Sequence, residues 1–146
     1  MKETLTFVFS ILLFTSLSWG QDAPESRNQT LVDSEVVKPV LQQLNAYNAR
    51  DIDAFLAAYS NDVRVYSYPE TLRYQGIEKM RERYTKFFEG LDRLNCEIVS
   101  RMVMGNVVID QERVTTSAAG VDSVIEAIAI YTIEKGKIVA VRFVQK

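Results

Sequence analysis

Two carboxylates in the second half of the chain have a spacing that could support proton transfer. Asp110 and Glu112 stand two residues apart in a β-rich segment, and such residues point to the same side of a strand. If that side faces a cavity, either carboxylate could act as a general base at its mouth. If it faces solvent or a second subunit, both would instead pair with Arg101 or Arg113. We favour the second arrangement, because exposed carboxylates on strands are common.

The chain contains no histidine, which narrows the chemistry further. Imidazole acid–base catalysis, Ser-His and Cys-His nucleophiles and the usual imidazole metal sites are excluded. The single cysteine, Cys96, has no partner for an internal disulfide and is interpreted as a small buried apolar residue. Carboxylates and tyrosines in a dry pocket remain for proton transfer, so we expect no cofactor and no metal. Tyr47, on a predicted inward face, is the candidate to act with Asp110 or Glu112.

Charge is balanced along the chain, with a formal net charge of -2. The basic residues are scattered among acidic ones, which argues against a nucleic-acid surface. The densest basic group, within residues 79–86, has helical spacing and is typical of the solvated side of an amphipathic helix. We therefore expect no nucleic-acid partner.

Residues 1–20 are typical of a secretory signal peptide. Their apolar stretch, residues 5–14, is shorter than the roughly 20 residues of a membrane span, and Ser18 and Gly20 supply the small residues of a cleavage site. An uncleaved membrane anchor is the alternative. We expect export to the periplasm or the medium after cleavage near Gly20, with no membrane span left in the mature chain. Polar residues 21–33 are interpreted as a flexible tether, and residues 34–146 as one domain.

Hydrophobic periodicity predicts the elements that must position the candidate residues. A first helix is expected from Ser34 to about residue 48, bent or started by Pro39. Asp51 is expected to cap a short second helix, and residues 76–91 carry the strongest helical stripe in the chain. Strands are predicted at about residues 63–68, 96–104, 107–116, 123–133 and 137–145. This order of elements is typical of an α+β domain.

Residues 44–63 read as two successive helices that run directly into a strand, with Asp51 at the start of the second helix and Phe55 and Tyr59 on its inward side. This segment resembles the opening of the SnoaL-like branch of the nuclear transport factor 2-like superfamily. The resemblance implies a cone-shaped fold in which three N-terminal helices pack on a curved, mostly antiparallel sheet around a cavity. It does not imply one activity, because the superfamily holds isomerases, cyclases, dehydratases and binding modules.

The absence of histidine argues against the mechanism of the scytalone dehydratase branch, and the ketosteroid isomerase-related branch is the nearer resemblance. Aligned without gaps, that branch's catalytic carboxylate falls on Ser67 and its protonated acid on Ala129. Its first-helix tyrosine falls on Gln43, although Tyr47 lies one turn later. The side chains of Ser67 and Ala129 have no carboxyl group to act as base or acid, so conventional isomerisation of 3-oxosteroids is not expected.

The last predicted hairpin is apolar on both faces. With a three-residue loop at residues 134–136, Ala129 would lie opposite Val141. One face, including Ala127, Ala129 and Tyr131, is assigned to the cavity because small residues leave room there. The other face includes Ile128, Ile130 and Ile138 and needs another partner, for which a second copy of the chain is the natural candidate. We therefore expect a homodimer.

Two main functional hypotheses follow, and a structural pairing domain that uses the outer sheet face is a weaker third. In the first, the protein is an exported binding module or degenerate enzyme whose cavity holds a small hydrophobic molecule and contains no carboxylate. Six residues are expected to line that cavity: Val65, Ser67, Tyr84, Ala129, Tyr131 and Phe143. In the second, the protein is an isomerase or cyclase for a steroid- or polyketide-like substrate. Asp110 or Glu112 then points inward with its pKa raised by desolvation, and acts with Tyr47.

Overall fold

The computed structural model describes the backbone of residues 24–145 and the side chains of residues 35–145. The predicted signal peptide, residues 1–20, lies outside the described residues. In the described part, no helix is both long enough and apolar enough to span a membrane. The helices and strands follow in the order α1 (Pro24–Ala49), α2 (Ile52–Leu56), β1 (Tyr59–Ser67), β2 (Thr71–Gln75), α3 (Ile77–Glu89), β3 (Arg93–Met104), β4 (Val107–Ala118), β5 (Val121–Glu134) and β6 (Lys137–Gln145).

The six strands form one mixed sheet in the order β2-β1-β6-β5-β4-β3. β1 and β6 run parallel, and the other neighbouring strands are antiparallel. Helix α1 packs against β3 to β6, and α3 packs against β1 and β2, so both helices cover the same face. The α+β prediction is confirmed, but the third helix follows two strands instead of standing with the first two at the N-terminus, and β2 was not predicted.

Helix α1 starts earlier than its apolar pattern predicts. It begins at Pro24, so most of the predicted tether, residues 21–33, is helical, and the helix continues through Pro39. Pro24 suits a first helical position, where its missing N–H removes no hydrogen bond. At the other end, Asn48 donates to the carbonyl of Cys96 (3.0 Å) and accepts from its N–H (2.6 Å), which attaches α1 to the edge strand β3.

The short helix α2 begins as predicted, with Asp51 as its cap. The Asp51 carboxylate accepts a hydrogen bond from the N–H of Ala54 (3.0 Å), which satisfies one of the free donors of the first turn. Helix α2 buries Phe55 and Leu56, and these join Val40, Met80 and other apolar residues in the core between the helices and the sheet.

The last hairpin differs in register from the prediction. Lys135 and Gly136, both with positive φ (49° and 73°), form a two-residue turn, and Ala129 lies opposite Phe143 instead of Val141. A bulge beside Ile133 adds a residue to β6 and restores the predicted inward face beyond it. The two-residue turn pairs Ile138 with Ile133, so Ile138, which was assigned to the outer face, lies in the core.

The sheet face that points away from α1 and α3 carries large apolar side chains that are exposed. Met102, Met104 and Ile128 are 64%, 83% and 39% exposed. Their register neighbours on the same face include Ile109 and Val107. Both faces of the sheet are therefore apolar, as the sequence predicts for the last hairpin.

Candidate functional site

A cavity of about 300 Å³ lies between α3, the strands β1 and β2, and the inner face of β4 to β6. Its interior wall is largely apolar and aromatic, with Val65, Val114 and Ala127 buried. Phe87 and Ile125 line the part that is open to solvent. Volumes of this size are at the small end for sites that take small molecules.

Glu112 is the only acidic residue among the described residues that line this cavity. Alternation along β4 turns its side chain inward together with those of Val108, Asp110 and Val114, and leaves it 6% exposed. The favoured expectation, that Asp110 and Glu112 both lie on a solvated or subunit-facing side, is wrong, because both carboxylates are buried on the helix side of the sheet.

The surroundings of Glu112 bring its ionisation near neutral pH. Burial raises the pKa of Glu112 from 4.5 to about 7, and the nearby negative charge of Asp110 adds to this rise. A hydrogen bond from Tyr131 and the positive charge of Arg101 act against the rise in pKa. At neutral pH the carboxyl group can therefore both accept and return a proton, as a general acid–base residue requires.

A chain of hydrogen bonds leads from α1 and β1 to Glu112. The Tyr59 hydroxyl donates to Oε1 of Gln43 (3.3 Å), and Nε2 of Gln43 donates to the Tyr131 hydroxyl (3.1 Å). Tyr131 in turn donates to Oε1 of Glu112 (2.8 Å). Every donor in this series of hydrogen bonds points towards the carboxylate, so the series fixes the position of Oε1 of Glu112.

Part of this chain borders a smaller recess of about 50 Å³. Gln43, Tyr59 and Tyr131 line the recess, while Glu112 and Tyr47 line both it and the larger cavity. Glu112 therefore lies between a polar, hydrogen-bonded side and an apolar cavity. This arrangement can hold one carboxylate oxygen while a ligand in the cavity approaches the group.

Asp110 has a different environment from Glu112. Its side chain is fully buried, and both of its oxygens bind Arg101, at 2.6 Å from Nε and 2.7 Å from Nη2. Asp110 does not line either cavity described above. The predicted pairing with Arg101 is present, but it lies inside the protein, where it supplies the charges that act on Glu112.

The tyrosines of the cavity belong to an aromatic cluster with α2 and α3. Tyr84 lies 4.5 Å from Phe55 between ring centroids, and Tyr47 lies 5.6 Å from Phe88. Burial raises the pKa of both tyrosine hydroxyls above their usual range, with smaller contributions from neighbouring groups that include Glu112. Tyr47 and Tyr84 therefore stay protonated and can serve as hydrogen-bond donors, not as bases.

Most of the predicted site residues meet in this region. The larger cavity is lined by Tyr47, Val65, Tyr84, Glu112 and Phe143, and Tyr131 lines the recess. Ser67 and Ala129 line neither of these cavities. Ala129 is fully buried in the core, so its small size does not open space for a ligand.

Several lining residues were not singled out as candidates for the site, among them Arg73, Tyr74, Arg83 and Gln43. Arg73 and Tyr74 lie on β2, the strand that was not predicted, and Arg83 lies beside Tyr84 on α3. Gln43 is 5% exposed and bonds to two tyrosines. Gln43 could have been identified from the sequence as a polar residue on the inward side of a predicted helix.

Comparison with known proteins gives one family match. A family model described as a SnoaL-like domain matches residues 40–141. A search of curated proteins found no match.

Several solved structures have a similar fold. An uncharacterized cystatin fold protein from Novosphingobium aromaticivorans has a TM-score of 0.69 and 23% identity, covering 75% of this chain and 97% of that one. An LEH-like epoxide hydrolase from M. tuberculosis has a TM-score of 0.69 and 16% identity, covering 78% and 84%. A protein from Jannaschia assigned as a SnoaL-like polyketide cyclase has a TM-score of 0.66 and 20% identity, covering 77% and 85%. These similarities show a nuclear transport factor 2-like fold.

Proposed function

This chain belongs to the SnoaL-like domain family, and we propose that it is an isomerase or cyclase that uses Glu112 for proton transfer to and from a small apolar molecule. The observation that carries the proposal is the buried carboxylate of Glu112 in the wall of an apolar cavity, with its pKa raised to about 7. Perturbed carboxyl groups in such cavities are candidates for general acid–base catalysis.

The reaction fits the groups around the cavity. Ionised Glu112 removes a proton from a carbon next to a carbonyl group, and the substrate becomes an enolate. Tyr47 and Tyr84 line the same cavity, and a protonated tyrosine hydroxyl there can donate a hydrogen bond to the enolate oxygen. In a β,γ-unsaturated ketone the enolate is conjugated with the carbon–carbon double bond, so Glu112 can return the proton to the γ-carbon. The double bond then moves next to the carbonyl group, which completes an isomerisation without any cofactor. In a cyclase the enolate carbon would instead attack a second carbonyl of the same molecule, and protonated Glu112 would give its proton to the alkoxide that forms.

The degenerate-enzyme hypothesis is less well supported by this geometry. It rests on Ser67 and Ala129, where the ketosteroid isomerase-related branch carries its acids, and it expects a cavity without a carboxylate. Glu112 lines the cavity instead. We propose that the base of this protein comes from β4, and the Jannaschia neighbour assigned as a polyketide cyclase agrees with this class of reaction.

We also propose that the protein forms a homodimer and is exported. The exposed apolar residues Met102, Met104 and Ile128 on the outer sheet face support a homodimer formed through that face. The signal-like residues 1–20 support export of the mature protein.

Proton transfer can be tested without knowing the natural substrate. β-Tetralone is an apolar ketone with acidic C–H bonds, and mass spectrometry measures its uptake of deuterium from deuterated water. We expect the protein to accelerate this exchange, and Glu112→Gln to reduce the acceleration by about 100-fold or more. Glu126→Gln is the matched control, since Glu126 is exposed and pairs with Arg113 on the outer face.

Binding of β-tetralone without any accelerated exchange would support the binding-module hypothesis and contradict the enzyme. Equal exchange by the wild-type protein and Glu112→Gln would exclude Glu112 as the base. Mass spectrometry of small molecules that copurify with the folded protein would then identify the occupant of the cavity.

A further inference from the structure

Two arginines line the solvent-exposed part of the cavity. Arg73 on β2 and Arg83 on α3 both contact it, and both are exposed residues. The buried lining residues, among them Glu112 and Ala127, mark the opposite, inner part. The cavity therefore has a cationic mouth and an apolar interior.

Neither mouth arginine belongs to an ion pair among residues 35–145. The ion pairs of this part of the chain instead involve arginines such as Arg101, Arg113 and Arg142. On α3 itself, Glu82 already binds Lys79 and Lys86. The positive charges of Arg73 and Arg83 are thus free to act on a ligand.

Tyr74 follows Arg73 on β2 and contacts Arg83 on α3. The guanidinium carbon of Arg83 lies 4.8 Å from the centroid of the Tyr74 ring, a cation–π distance. Burial raises the pKa of Tyr74, while a hydrogen bond with Tyr84 and the positive charges of Arg73 and Arg83 partly offset that rise. The Arg83 guanidinium group is therefore placed at the Tyr74 ring, and Arg73, Tyr74 and Arg83 all line the cavity.

We infer that the natural ligand is an amphipathic carboxylate, whose anionic group binds Arg73 and Arg83 at the mouth while its apolar body fills the interior. Arginine suits this role because its planar guanidinium group can bind a carboxylate through two parallel hydrogen bonds. The opposite orientation would place the anion beside Glu112 and the nearby Asp110, where like charges repel. This inference rests on the proposed function and specifies its substrate as a keto acid whose activated C–H bond lies at the apolar end, next to Glu112.

The test compares two probes of the same shape by calorimetry, naphthalene carboxylate and naphthalene methanol. We expect the wild-type protein to bind the carboxylate at least about tenfold more tightly than the alcohol, since hydrogen bonds to charged groups are the stronger ones. The double variant Arg73→Gln/Arg83→Gln should lose this preference and still bind the alcohol, which shows that its cavity is intact. The control variant Arg64→Gln/Arg113→Gln has the same change in net charge, at exposed positions that do not line the cavity, and should keep the preference.

Equal binding of both probes by the wild-type protein would overturn the inference and leave the proposed cavity function standing. Equal loss of the preference in both double variants would also overturn it, because the net charge and not the mouth arginines would then be responsible. Failure of both probes to bind the wild-type protein would count against the cavity function itself.

Discussion

The Tyr131 hydroxyl donates a hydrogen bond of 2.8 Å to Oε1 of Glu112, and both side chains are buried. The bond joins β5 to β4 across the inner face of the sheet, where Glu112 lies next to Ala127 in the register and Tyr131 next to Val108. It stabilises the ionised form of a carboxyl group that burial would otherwise keep protonated. Tyr131 is therefore placed to set the pH at which Glu112 can act as a base.

Removing this hydroxyl should move the pH dependence of the reaction. In Tyr131→Phe the pKa of Glu112 should rise further, because the hydrogen bond that lowers it is lost. The acidic limb of the pH–rate profile for β-tetralone exchange, which follows the ionisation of Glu112, should shift to higher pH. Tyr66→Phe is the control, since Tyr66 lies against Arg142, away from Glu112. An unchanged limb, or a shift to lower pH, would contradict the role of Tyr131.

Glu112 should cost stability when it ionises. Its pKa is 4.5 in an ordinary setting and about 7 in the folded protein, so the folded state binds the proton more tightly than the unfolded chain. The free energy of unfolding should therefore fall as pH rises from about 4.5 through about 7, by about 3 kcal/mol in total.

The variant Glu112→Gln isolates this effect, because it cannot ionise. Relative to the wild-type protein it should gain up to about 3 kcal/mol between about pH 4 and about pH 8, as measured by urea unfolding at each pH. Glu126→Gln, at an exposed position, should track the wild-type protein. A constant difference between Glu112→Gln and the wild-type protein at all pH values would show that Glu112 ionises normally.

The buried ion pair beside the site should matter more for stability than an exposed one. Arg101→Met leaves the fully buried carboxyl group of Asp110 without its partner, which should cost about 3 kcal/mol. Arg113→Met removes a pair whose side chains are both about half exposed, and should cost less than about 1 kcal/mol. If urea unfolding gives the same loss of unfolding free energy for both variants, the buried Asp110–Arg101 pair contributes no more to stability than the exposed pair.

The outer sheet face can be tested through the oligomeric state. We expect the wild-type protein to be a dimer by light scattering, and Ile128→Lys to be a folded monomer, because a charge on the apolar face would have to be buried in the interface. Val121→Lys, at an exposed position beside the turn between β4 and β5, should remain a dimer. A wild-type monomer in dilute solution would contradict the proposed interface.

The parts of the fold that repeat a strong pattern could be predicted from the sequence. The stripe containing Met80, Tyr84 and Phe88 predicts α3, and Asp51 predicts the start of α2. Strand β2 escaped prediction because it is a five-residue edge strand with mainly exposed side chains, so no buried alternation marks it. Arg73 and Tyr74 were missed for the same reason.

The position of the candidate site could not be predicted from the spacing of residues along the sequence alone. The two-residue spacing of Asp110 and Glu112 predicts that they share a face, but the choice of face depends on packing across strands. The last hairpin shows the same dependence, since its two-residue turn pairs Ile138 with Ile133 and turns Ile138 inward, against the prediction from the sequence. Gln43 and Tyr131 are far apart in the sequence, so only the folded chain brings them together at Glu112.

The most direct test of proton transfer by Glu112 is the titration of its carboxyl group by carbon-13 NMR. The variant Glu112→Gln identifies the signal of this group. We expect a midpoint at about pH 7. Binding of naphthalene carboxylate should perturb the same signal, because Glu112 lines the cavity. A midpoint near the ordinary value of 4.5 would mean that Glu112 is a solvated carboxylate, and would contradict its proposed role as the proton-transfer group.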